Sequence, residues 1–285
     1  MSNKSQYVMQ GLSGYLVSKR AHISRNYHRD LSVVLESWSR EFVTLDSVST
    51  QSLQEWADNK LRTVKPSTVA AYLFSIRKYY DWLIIHQIVS GKNPVIGVTL
   101  PRHRKPFRRV FVSRDTACRL ITECTDAELK YILFCGFHSG LRFGEVVASR
   151  PEWFSLPDAL LHVTRCEDWD TKDHEDRTIP LTDAFLAFLR VYGLPSPYML
   201  YPEKRVGGRH RYRYDFKRKF YNYLRRKNVR MTFHDCRRTF ASLHASAGTS
   251  IYKIAKWLGD DVGVVQRHYG HLEPRDTEIN RAFVA

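Results

Sequence analysis

The sequence predicts a mainly α-helical protein of two domains, with a small β-sheet in the second domain. Three observations support this prediction. The 285 residues, 43% of them hydrophobic, exceed the common size of one domain and can bury a substantial core. Apolar residues recur at helical spacing through the first hundred positions. Farther along, apolar and polar residues alternate over a short stretch and an extended pattern follows, which is typical of a hairpin.

Residues 1–100 are predicted to form the first, helical domain. One helix spans about 26–41. Its apolar face consists of Leu31, Val34, Leu35 and Trp38. A second helix runs from about Thr68 to Val89, with Ser67 as its N-cap behind Pro66.

A basic segment, 101–110, is predicted to link the two domains. It contains two prolines and five Lys or Arg residues but no acid, so it stays extended and outside a core. Its basic side chains are Arg102, Arg104, Lys105, Arg108 and Arg109. They either form a solvated linker only or, in addition, lie along a phosphate backbone.

The second domain, 111–285, has three predicted elements in its first half. They are a helix capped by Ser113, a helix over about 127–139 that ends at Gly140, and a hairpin of 159–165 with 178–181.

The charge distribution indicates a polyanionic partner. The 45 Lys and Arg residues against 29 Asp and Glu leave a net charge of +16 at pH 7. From 201 to 238, 14 cations stand against three acids, with aromatic residues between them. We expect most of the rings to lie in the core and the cations, Arg211 and Arg213 among them, to meet nucleic acid. An anionic membrane surface is the weaker alternative, because the cations do not follow one amphipathic helix.

Several function classes find no support in the sequence. No apolar secretory segment is present, and the densest apolar run, 82–85, is far below the ~20 residues that span a bilayer. Five cysteines without a CxxC pair indicate reduced thiols rather than a disulfide framework or a zinc site. Neither GxxxxGK nor HExxH occurs, so we expect no cofactor. We expect a cytoplasmic, nucleoid-associated protein, or a nuclear one if the source is eukaryotic.

Four motifs in the second domain contain residues that can carry chemistry. They are GLRFGE with Arg142, TKDHEDRTIPL with Lys172, HDCR with His234 and Arg237, and LGDD followed by RHYGH, with Asp260 and Tyr269. Arg142 is predicted at the start of a helix and Lys172 on a hairpin turn. The spacing of three places His234 and Arg237 on one helix face, where both can reach one ligand.

In this order and spacing the motifs resemble the tyrosine recombinase (phage integrase) family, and above all its two-domain Xer-type and integron-type members. The first domain resembles the family's helical core-binding (SAM-like) domain through Tyr27–Leu31 and the segment 67–94. The resemblance covers nearly the whole chain. It implies a C-shaped DNA clamp made of a core-binding domain and a catalytic domain. It also implies that no additional N-terminal arm-binding domain is present.

The resemblance implies a site-specific DNA recombinase. Tyr269 would attack a phosphodiester, leaving a 3′-phosphotyrosyl bond and a free 5′-hydroxyl, and a second strand's hydroxyl would reverse the step without ATP or metal. Arg142 and Arg237 would stabilise charge on the phosphate oxygens. Lys172 would protonate the leaving 5′-oxygen. His234 would either assist proton transfer from Tyr269 or donate a hydrogen bond to the phosphate.

The implied partner is double-stranded DNA with inverted-repeat core sites, bound by a dimer on one site and by a homotetramer on paired sites. An accessory protein or a partner recombinase is a further implied partner, and a membrane is not. Ser67 and Thr68 are expected to contact the DNA together with the basic linker. In the tail, Ile279, Phe283 and Val284 suggest a short helix docked either on a neighbouring copy or on the same chain.

Asp260 departs from the family pattern, in which His or Trp stands nine residues before the nucleophile. An ionised carboxylate only accepts hydrogen bonds and repels a phosphate. Three explanations are open: Asp260 is turned away and caps the following helix or holds an arginine, His268 or His271 donates instead, or the enzyme is slow or inactive alone and depends on a partner. We favour the first. We expect Asp260→His to leave activity intact or to raise it.

Two other functions compete with recombination. The first is a DNA-binding protein that has kept the fold and lost catalysis, and Asp260 is its best support. The second is a strand-relaxing topoisomerase or a telomere-resolving enzyme that uses the same tyrosine chemistry. The Xer-like first domain argues against both the topoisomerase and the telomere-resolving enzyme.

Overall fold

A computed structural model describes residues 8–42, 44–101, 111–166, 169–171, 175–200 and 216–272. The chain divides into two compact units, Met1–Phe107 and Arg108–Ala285. Each unit buries its own cluster of apolar side chains, and the second unit contains two such clusters.

The described residues of the first unit form four helices joined by short turns. They are α1 (Val8–Lys19), α2 (Arg25–Ser39), α3 (Thr50–Leu61) and α4 (Pro66–Ile85), with 3-10 turns at Leu45–Ser47 and Pro94–Gly97. Helix α2 begins after Ser24, whose side chain accepts a hydrogen bond from the Tyr27 amide. On the face that the sequence predicted, Leu31, Leu35 and Trp38 are buried, while Val34 is half-buried.

The bounds of α4 differ from the prediction at both ends. The helix begins at Pro66, with Lys65 as its N-cap, so the prediction of Ser67 as N-cap was wrong and Ser67 lies in the first turn. Proline suits the first helical position, because its fixed φ is already helical and its missing amide would have no partner there. The helix ends at Ile85 instead of Val89, because Gln87 adopts a left-handed conformation with φ 56°.

The second unit contains eight helices and a three-stranded antiparallel sheet within its described residues. The helices are α5 (Arg114–Thr122), α6 (Ala127–Ser139), α7 (Phe143–Ala148), α8 (Asp183–Tyr192), α9 (Lys217–Arg226), α10 (Phe233–Ser246), α11 (Ile251–Leu258) and α12 (Val262–Tyr269). The strands are β1 (Phe154–Ser155), β2 (Leu160–Val163) and β3 (Arg177–Pro180), in the order β1-β2-β3. The predicted mainly helical fold with a small sheet is confirmed.

Local signals placed several of these elements correctly. The Ser113 hydroxyl accepts a hydrogen bond from the Thr116 amide at the start of α5. Helix α6 spans the predicted residues, and Gly140 ends it in the left-handed region with φ 61°. The predicted hairpin is β2 paired with β3. Strand β1 was not predicted, because two residues are too few to show an alternating pattern.

Close packing of α6 against α10 brings the ends of several helices together. A Cβ on Gly136 of α6 would lie 2.7 Å from the Cβ of Cys236 on α10, so only glycine allows this approach. Helix α10 also packs against α11 and α12. The C-terminal end of α6, the N-terminal end of α10 and the turn between α11 and α12 consequently meet around Arg237.

Most aromatic residues of the basic region 201–238 lie in the core where the structure describes them. Phe216, Phe220 and Tyr223 are buried, as expected for most of these rings, while Tyr221 is 39% exposed. Part of the charge is neutralised within the unit. Lys219 pairs with Asp126 at 2.6 Å, and Lys227 pairs with Glu123 at 2.7 Å.

Candidate active site

Arg142 lies at the N-cap of α7, as predicted, and its guanidinium is held by Glu145, Gly259 and Asp260 among others. Nη1 donates to Glu145 Oε1 at 3.2 Å, and Nη2 donates to the Gly259 carbonyl oxygen at 2.6 Å and to Asp260 Oδ1 at 2.7 Å. The backbone amide of Arg142 also donates to Glu145 Oε2 at 2.7 Å. Because the main chain and the side chain are both fixed, the guanidinium is oriented before any ligand arrives.

Arg237 lies in the first turns of α10, and its guanidinium is more deeply buried than that of Arg142. It donates from Nη1 to the Gly140 carbonyl oxygen and from Nη2 to the Leu258 carbonyl oxygen, each at 2.7 Å. Nη2 also donates to Asp260 Oδ2 at 2.7 Å. Burial lowers the pKa of Arg237 below its ordinary value, and the adjacent Asp260 carboxylate acts in the opposite direction.

Asp260 joins the two arginines through its two carboxylate oxygens. Its Oδ1 accepts from Arg142 and its Oδ2 from Arg237, each at 2.7 Å. Asp260 was expected to hold an arginine, and it holds two. The expectation that it is turned away was wrong, because both contacts are with the arginines predicted to bind the phosphate. The expectation that it caps the next helix was wrong, because Asp261 performs that role by accepting from the amides of Gly263 and Val264.

Arg177 on β3 is a buried member of the cluster that sequence reasoning missed. Its Nη2 donates to Glu145 Oε2 at 2.5 Å, and its Nε donates to the Trp257 carbonyl oxygen at 2.9 Å. Burial alone would raise the pKa of Glu145, but the charge and hydrogen bond of Arg177 hold it below its ordinary value. Arg177 therefore keeps Glu145 ionised, and Glu145 in turn orients Arg142.

One signal for Arg177 was present in the sequence. In strand β3 buried positions alternate with a half-buried and an exposed one, and Arg177 shares its buried face with Ile179. A basic residue at a core-facing strand position must find an acid or several carbonyls. That rule predicts an ion pair, although it does not predict that the partner is Glu145.

His234 lies in the first turn of α10, at a more exposed position than Arg237. Partial burial of the imidazole lowers the pKa of His234, and the charges of Arg238 and Arg237 lower it further. Neutral imidazole therefore predominates at pH 7. A neutral ring can accept a proton from a nearby hydroxyl.

The turn that carries His234 is fixed by the buried carboxylate of Asp235. Asp235 Oδ2 accepts from the Thr232 amide at 2.7 Å and from the Thr232 hydroxyl at 2.8 Å. Its Oδ1 accepts from Arg238 at 2.8 Å. Burial alone would raise the pKa of Asp235, but these hydrogen bonds and the Arg238 charge lower it. Asp235 thus anchors the start of α10 and also holds Arg238, a second cation that sequence reasoning had not assigned.

Tyr269 is the last residue of α12, and its ring packs against the apolar cluster that includes Phe240 and Leu258. Val265, one turn earlier, is fully buried and anchors this short helix. Burial raises the pKa of the Tyr269 phenol, while the charges of Arg238 and Arg237 act to lower it. The phenol is therefore protonated at neutral pH and needs a base to become a nucleophile.

The described structure brings four of the five predicted catalytic residues into one electrostatic cluster: Arg142, His234, Arg237 and Tyr269. The fifth, Lys172, lies outside the described residues.

Most of the predicted DNA contacts and the tail also lie outside the described residues. These are Arg102, Arg104, Lys105, Arg108, Arg109, Arg211, Arg213, Ile279, Phe283 and Val284. Ser67 and Thr68 are described; both lie half-buried in the first turn of α4, in the other unit.

Neither a metal cluster nor a membrane-crossing helix occurs among the described residues. No group of three or more His, Cys, Asp or Glu side chains within the described ranges is arranged to hold a metal ion. In the same ranges, no helix has the length and apolar character that a membrane crossing requires.

Comparison with known proteins gave matches for both units. The family model described as the phage integrase family matches residues 111–275, and that of the phage integrase N-terminal SAM-like domain matches residues 12–87. The tyrosine recombinase XerC of Vibrio vulnificus (strain YJ016) is 28% identical over 132 residues, which cover 44% of this chain and 41% of XerC. The chain thus spans about two fifths of the length of the curated relative that it matches.

Solved structures with a similar fold cover nearly the whole chain. A lambda integrase tetramer bound to a Holliday junction gives a TM-score of 0.75 at 14% identity, covering 98% of this chain and 81% of that one. The Tn1549 transposon integrase in complex with a circular intermediate DNA gives 0.72 at 15% identity, covering 98% of both chains. At these identities the likeness shows the fold.

Proposed function

The chain belongs to the phage integrase, or tyrosine recombinase, family, and from that premise we propose that it is a site-specific DNA recombinase. In this proposal Tyr269 attacks a DNA phosphodiester. The new bond joins the phenol oxygen to the 3′-phosphate, and the 5′-oxygen leaves as a hydroxyl after taking up a proton. A 5′-hydroxyl of another strand then attacks the phosphotyrosine and restores the phenol.

The observation that carries the proposal is the convergence of two guanidiniums on one anion. Arg142 and Arg237 each donate to a different oxygen of the same carboxylate, each at 2.7 Å. A phosphodiester also presents two non-bridging oxygens, and these gain charge in the transition state. Two fixed guanidiniums at this separation are suited to stabilise that charge.

Proton transfer is assigned to the residues around the two arginines. His234, neutral at pH 7, removes the proton from the Tyr269 phenol, which burial keeps protonated. Lys172 is proposed to protonate the leaving 5′-oxygen. Glu145 and Arg177 contact no reacting atom and act by orienting Arg142.

The partners follow from the same family membership. We propose that the two units clamp double-stranded DNA with inverted-repeat core sites, as a dimer on one site and a tetramer on paired sites. Ser67, Thr68 and the basic residues of 101–110 are proposed to contact the DNA. Two solved structures of similar fold support this proposal, because the lambda integrase tetramer is bound to a Holliday junction and a lambda integrase dimer to a core site.

The proposal is tested with nicked suicide substrates. After cleavage, the short fragment that carries the free 5′-hydroxyl diffuses away, so the strand cannot be rejoined. The DNA is first recovered from complexes with the full chain, so that it contains the site bound by the protein. We expect a covalent protein–DNA adduct on denaturing gels that is lost in Tyr269→Phe. Tyr252→Phe is the matched control, because this tyrosine on α11 is 74% exposed and should leave the adduct unchanged.

Tight binding of the recovered DNA without any adduct would contradict the proposal and would support a DNA-binding protein that has lost catalysis. An adduct that persists in Tyr269→Phe would show that another residue is the nucleophile.

A further inference from the structure

We propose that Asp260 is an internal substitute for the DNA phosphate: its carboxylate occupies the two-arginine site in the free protein and is displaced when a phosphate enters. The inference rests on the proposed function for the identity of the displacing group. It assigns a positioning and competing role to a residue that stands where the family has a hydrogen-bond donor.

The carboxylate of Asp260 makes the contacts of a two-oxygen anion between the two arginines. Both oxygens of Asp260 are used, one on each arginine, and both distances are 2.7 Å. These are the donors assigned to the phosphate in the proposed reaction. A carboxylate and a phosphodiester are both anions, so the second cannot enter between the guanidiniums while the first remains there.

The carboxylate can leave without disrupting the rest of the site. Asp260 is 29% exposed, and its backbone amide is held separately by the Ala255 carbonyl oxygen at 3.2 Å. Its side chain can therefore rotate toward solvent while the turn after α11 keeps its path. Because side chains change rotamer far faster than backbone rearranges, this displacement adds little delay to DNA binding.

Both arginines keep other partners after the carboxylate leaves. Arg237 retains the carbonyl oxygens of Gly140 and Leu258. Arg142 retains Glu145 and the carbonyl oxygen of Gly259. Each guanidinium therefore stays oriented. When Asp260 leaves, the N–H group of each arginine that bonded to its carboxylate becomes available to one incoming phosphate.

In the free protein the carboxylate has a second effect. Two guanidiniums that approach one anion repel each other, and that of Arg237 is almost fully buried, with 3% of its side chain exposed. Asp260 supplies the compensating charge until DNA does so. The two guanidiniums are therefore already in position before DNA binds, but the carboxylate between them lowers their affinity for phosphate.

The experiment measures binding of inorganic phosphate to the full chain without DNA and without cleavage. The probe is the Arg237 Nε–H signal in 15N NMR spectra, which reports on this site and not on the other cations of the protein. We expect Asp260→Asn to bind phosphate at least ~10-fold more tightly than the unmodified protein, because the amide is neutral and no longer competes as an anion.

Asp261→Asn is the matched control. It removes the same charge from the adjacent position, contacts neither arginine in the described hydrogen bonds, and preserves the α12 cap, since asparagine is also a good N-cap. Phosphate affinity at the Arg237 signal should change less than ~2-fold in this variant. In the double variant Asp260→Asn with Arg142→Ala, the gain should disappear, because one of the two guanidiniums is missing.

Equal phosphate affinity in Asp260→Asn and in the unmodified protein would overturn the inference. So would an equal gain in Asp261→Asn, because it would reflect net charge alone. If thermal unfolding shows that Asp260→Asn is not folded, Asp260→Ser serves as the second variant with the same criterion. The covalent adduct assay on the unmodified protein is a separate readout. A gain of phosphate affinity in Asp260→Asn, together with no adduct from the unmodified protein, would refute the recombinase proposal and not this one.

Discussion

At the scale of residues, the site is a chain of opposite charges in which two carboxylates compensate three guanidiniums. Glu145 is shared by Arg142 and Arg177, and Asp260 is shared by Arg142 and Arg237. Each carboxylate therefore bridges two guanidiniums, with Arg142 common to both. Removing any one member leaves a partner with an uncompensated charge, and the consequence depends on how deeply that partner is buried.

Arg177→Leu should destabilise the second unit strongly. It would leave Glu145, which is 1% exposed, without its closest cation, and breaking a buried pair in this way costs about 3–5 kcal/mol. Urea unfolding at pH 7 measures the loss. Because the pKa of Glu145 is lowered in the folded protein, its contribution is present above the ordinary carboxyl pKa and is lost as the pH falls through the lowered value. The deficit of the variant should therefore shrink in acid.

The control for this prediction is Arg190→Leu, at an exposed position on α8. A surface substitution of this kind should change the unfolding free energy by no more than about 0.5 kcal/mol. A loss of similar size in both variants would mean that the buried pair with Glu145 contributes nothing beyond an ordinary arginine.

A pH profile should distinguish the two roles considered for His234. If its neutral ring accepts the Tyr269 proton, the single-turnover rate of adduct formation falls as the pH drops through the lowered pKa of His234. His234→Gln should then be slower by about 10²–10⁴-fold near pH 7 and should lose that acid limb. A rate that instead rises as the ring becomes protonated would assign His234 the donor role toward the phosphate.

The sequence predicted the identity of the chemical groups better than their partners. The positions of Arg142 and Arg237 at the starts of α7 and α10 followed from local motif and cap signals. The double contact of Asp260 did not, because it joins residues that are 118 and 23 positions apart in the chain. Local periodicity contains no information on contacts of that range.

At the scale of elements, glycines determine how closely the helices approach at the site. Gly140 ends α6 in the left-handed region, and a Cβ there would lie 2.8 Å from both Leu258 and Phe240. The residue after it, Leu141, is 1% exposed, so the chain has no free space in which to shift. The turn that supplies a carbonyl to Arg237 therefore depends on the absence of a side chain.

Gly140→Ala should consequently reduce both stability and cleavage. The left-handed conformation costs an alanine roughly 1–2 kcal/mol, and the added methyl overpacks the site by roughly 1–3 kcal/mol more. The Gly140 carbonyl would move relative to Arg237, so adduct formation should fall further than stability alone explains. Thermal unfolding and the suicide-substrate assay at a temperature where the variant is folded measure the two effects.

Gly144→Ala provides the matched control on α7. A Cβ at that position meets its nearest atom, Trp169 Nε1, at 3.7 Å, which is an ordinary contact. Since alanine favours a helix interior over glycine by up to about 1 kcal/mol, this variant should be as stable as the unmodified protein or more stable. Equal damage at both positions would contradict the assigned role of the α6 turn.

The elements themselves were predictable where a cap and a periodic pattern coincide. Helix α6 has both Asp126 at its start and Gly140 at its end, and its predicted bounds are the observed ones. Helix α4 was misplaced at both ends, because serine and proline compete as start signals and the left-handed Gln87 has no sequence signature. The C-terminal ends of strands and short elements such as β1 depend on tertiary pairing instead.

At the scale of the whole molecule, the cations that produce the net charge of +16 have several separate roles. Some cations are neutralised internally, as Lys219 and Lys227 are by acids near the ends of α5 and α6. Three arginines belong to the buried network of the site. The remainder is available for a polyanion, which revises the view that the whole basic region 201–238 needs an external partner.

DNA binding should therefore depend on salt through particular cations and not through net charge alone. Replacing Arg102, Arg104 and Lys105 by alanine should reduce the slope of log K against log salt concentration by about 2.7, at about 0.9 for each phosphate that is no longer neutralised. Filter binding between 50 and 300 mM salt (roughly the range in which such slopes are linear) measures it. Lys227→Gln, which removes a cation already paired with Glu123, should leave the slope unchanged. A smaller slope in that control as well would mean that overall charge determines the salt dependence.

The hydrogen bonds of Arg237 also determine which substitutions the site can tolerate during evolution. Two of its three hydrogen bonds end on backbone carbonyls, at the C-terminal ends of α6 and α11. Every amino acid has a backbone carbonyl. The orientation of this guanidinium therefore depends on the path of the main chain and not on the side chain at position 260. Substitution at that position can therefore be explored by mutation while the arginine keeps its place. To transfer the site to another protein, a designer first needs two helix C-termini that converge on the arginine. The choice of side chain at the position of Asp260 is secondary.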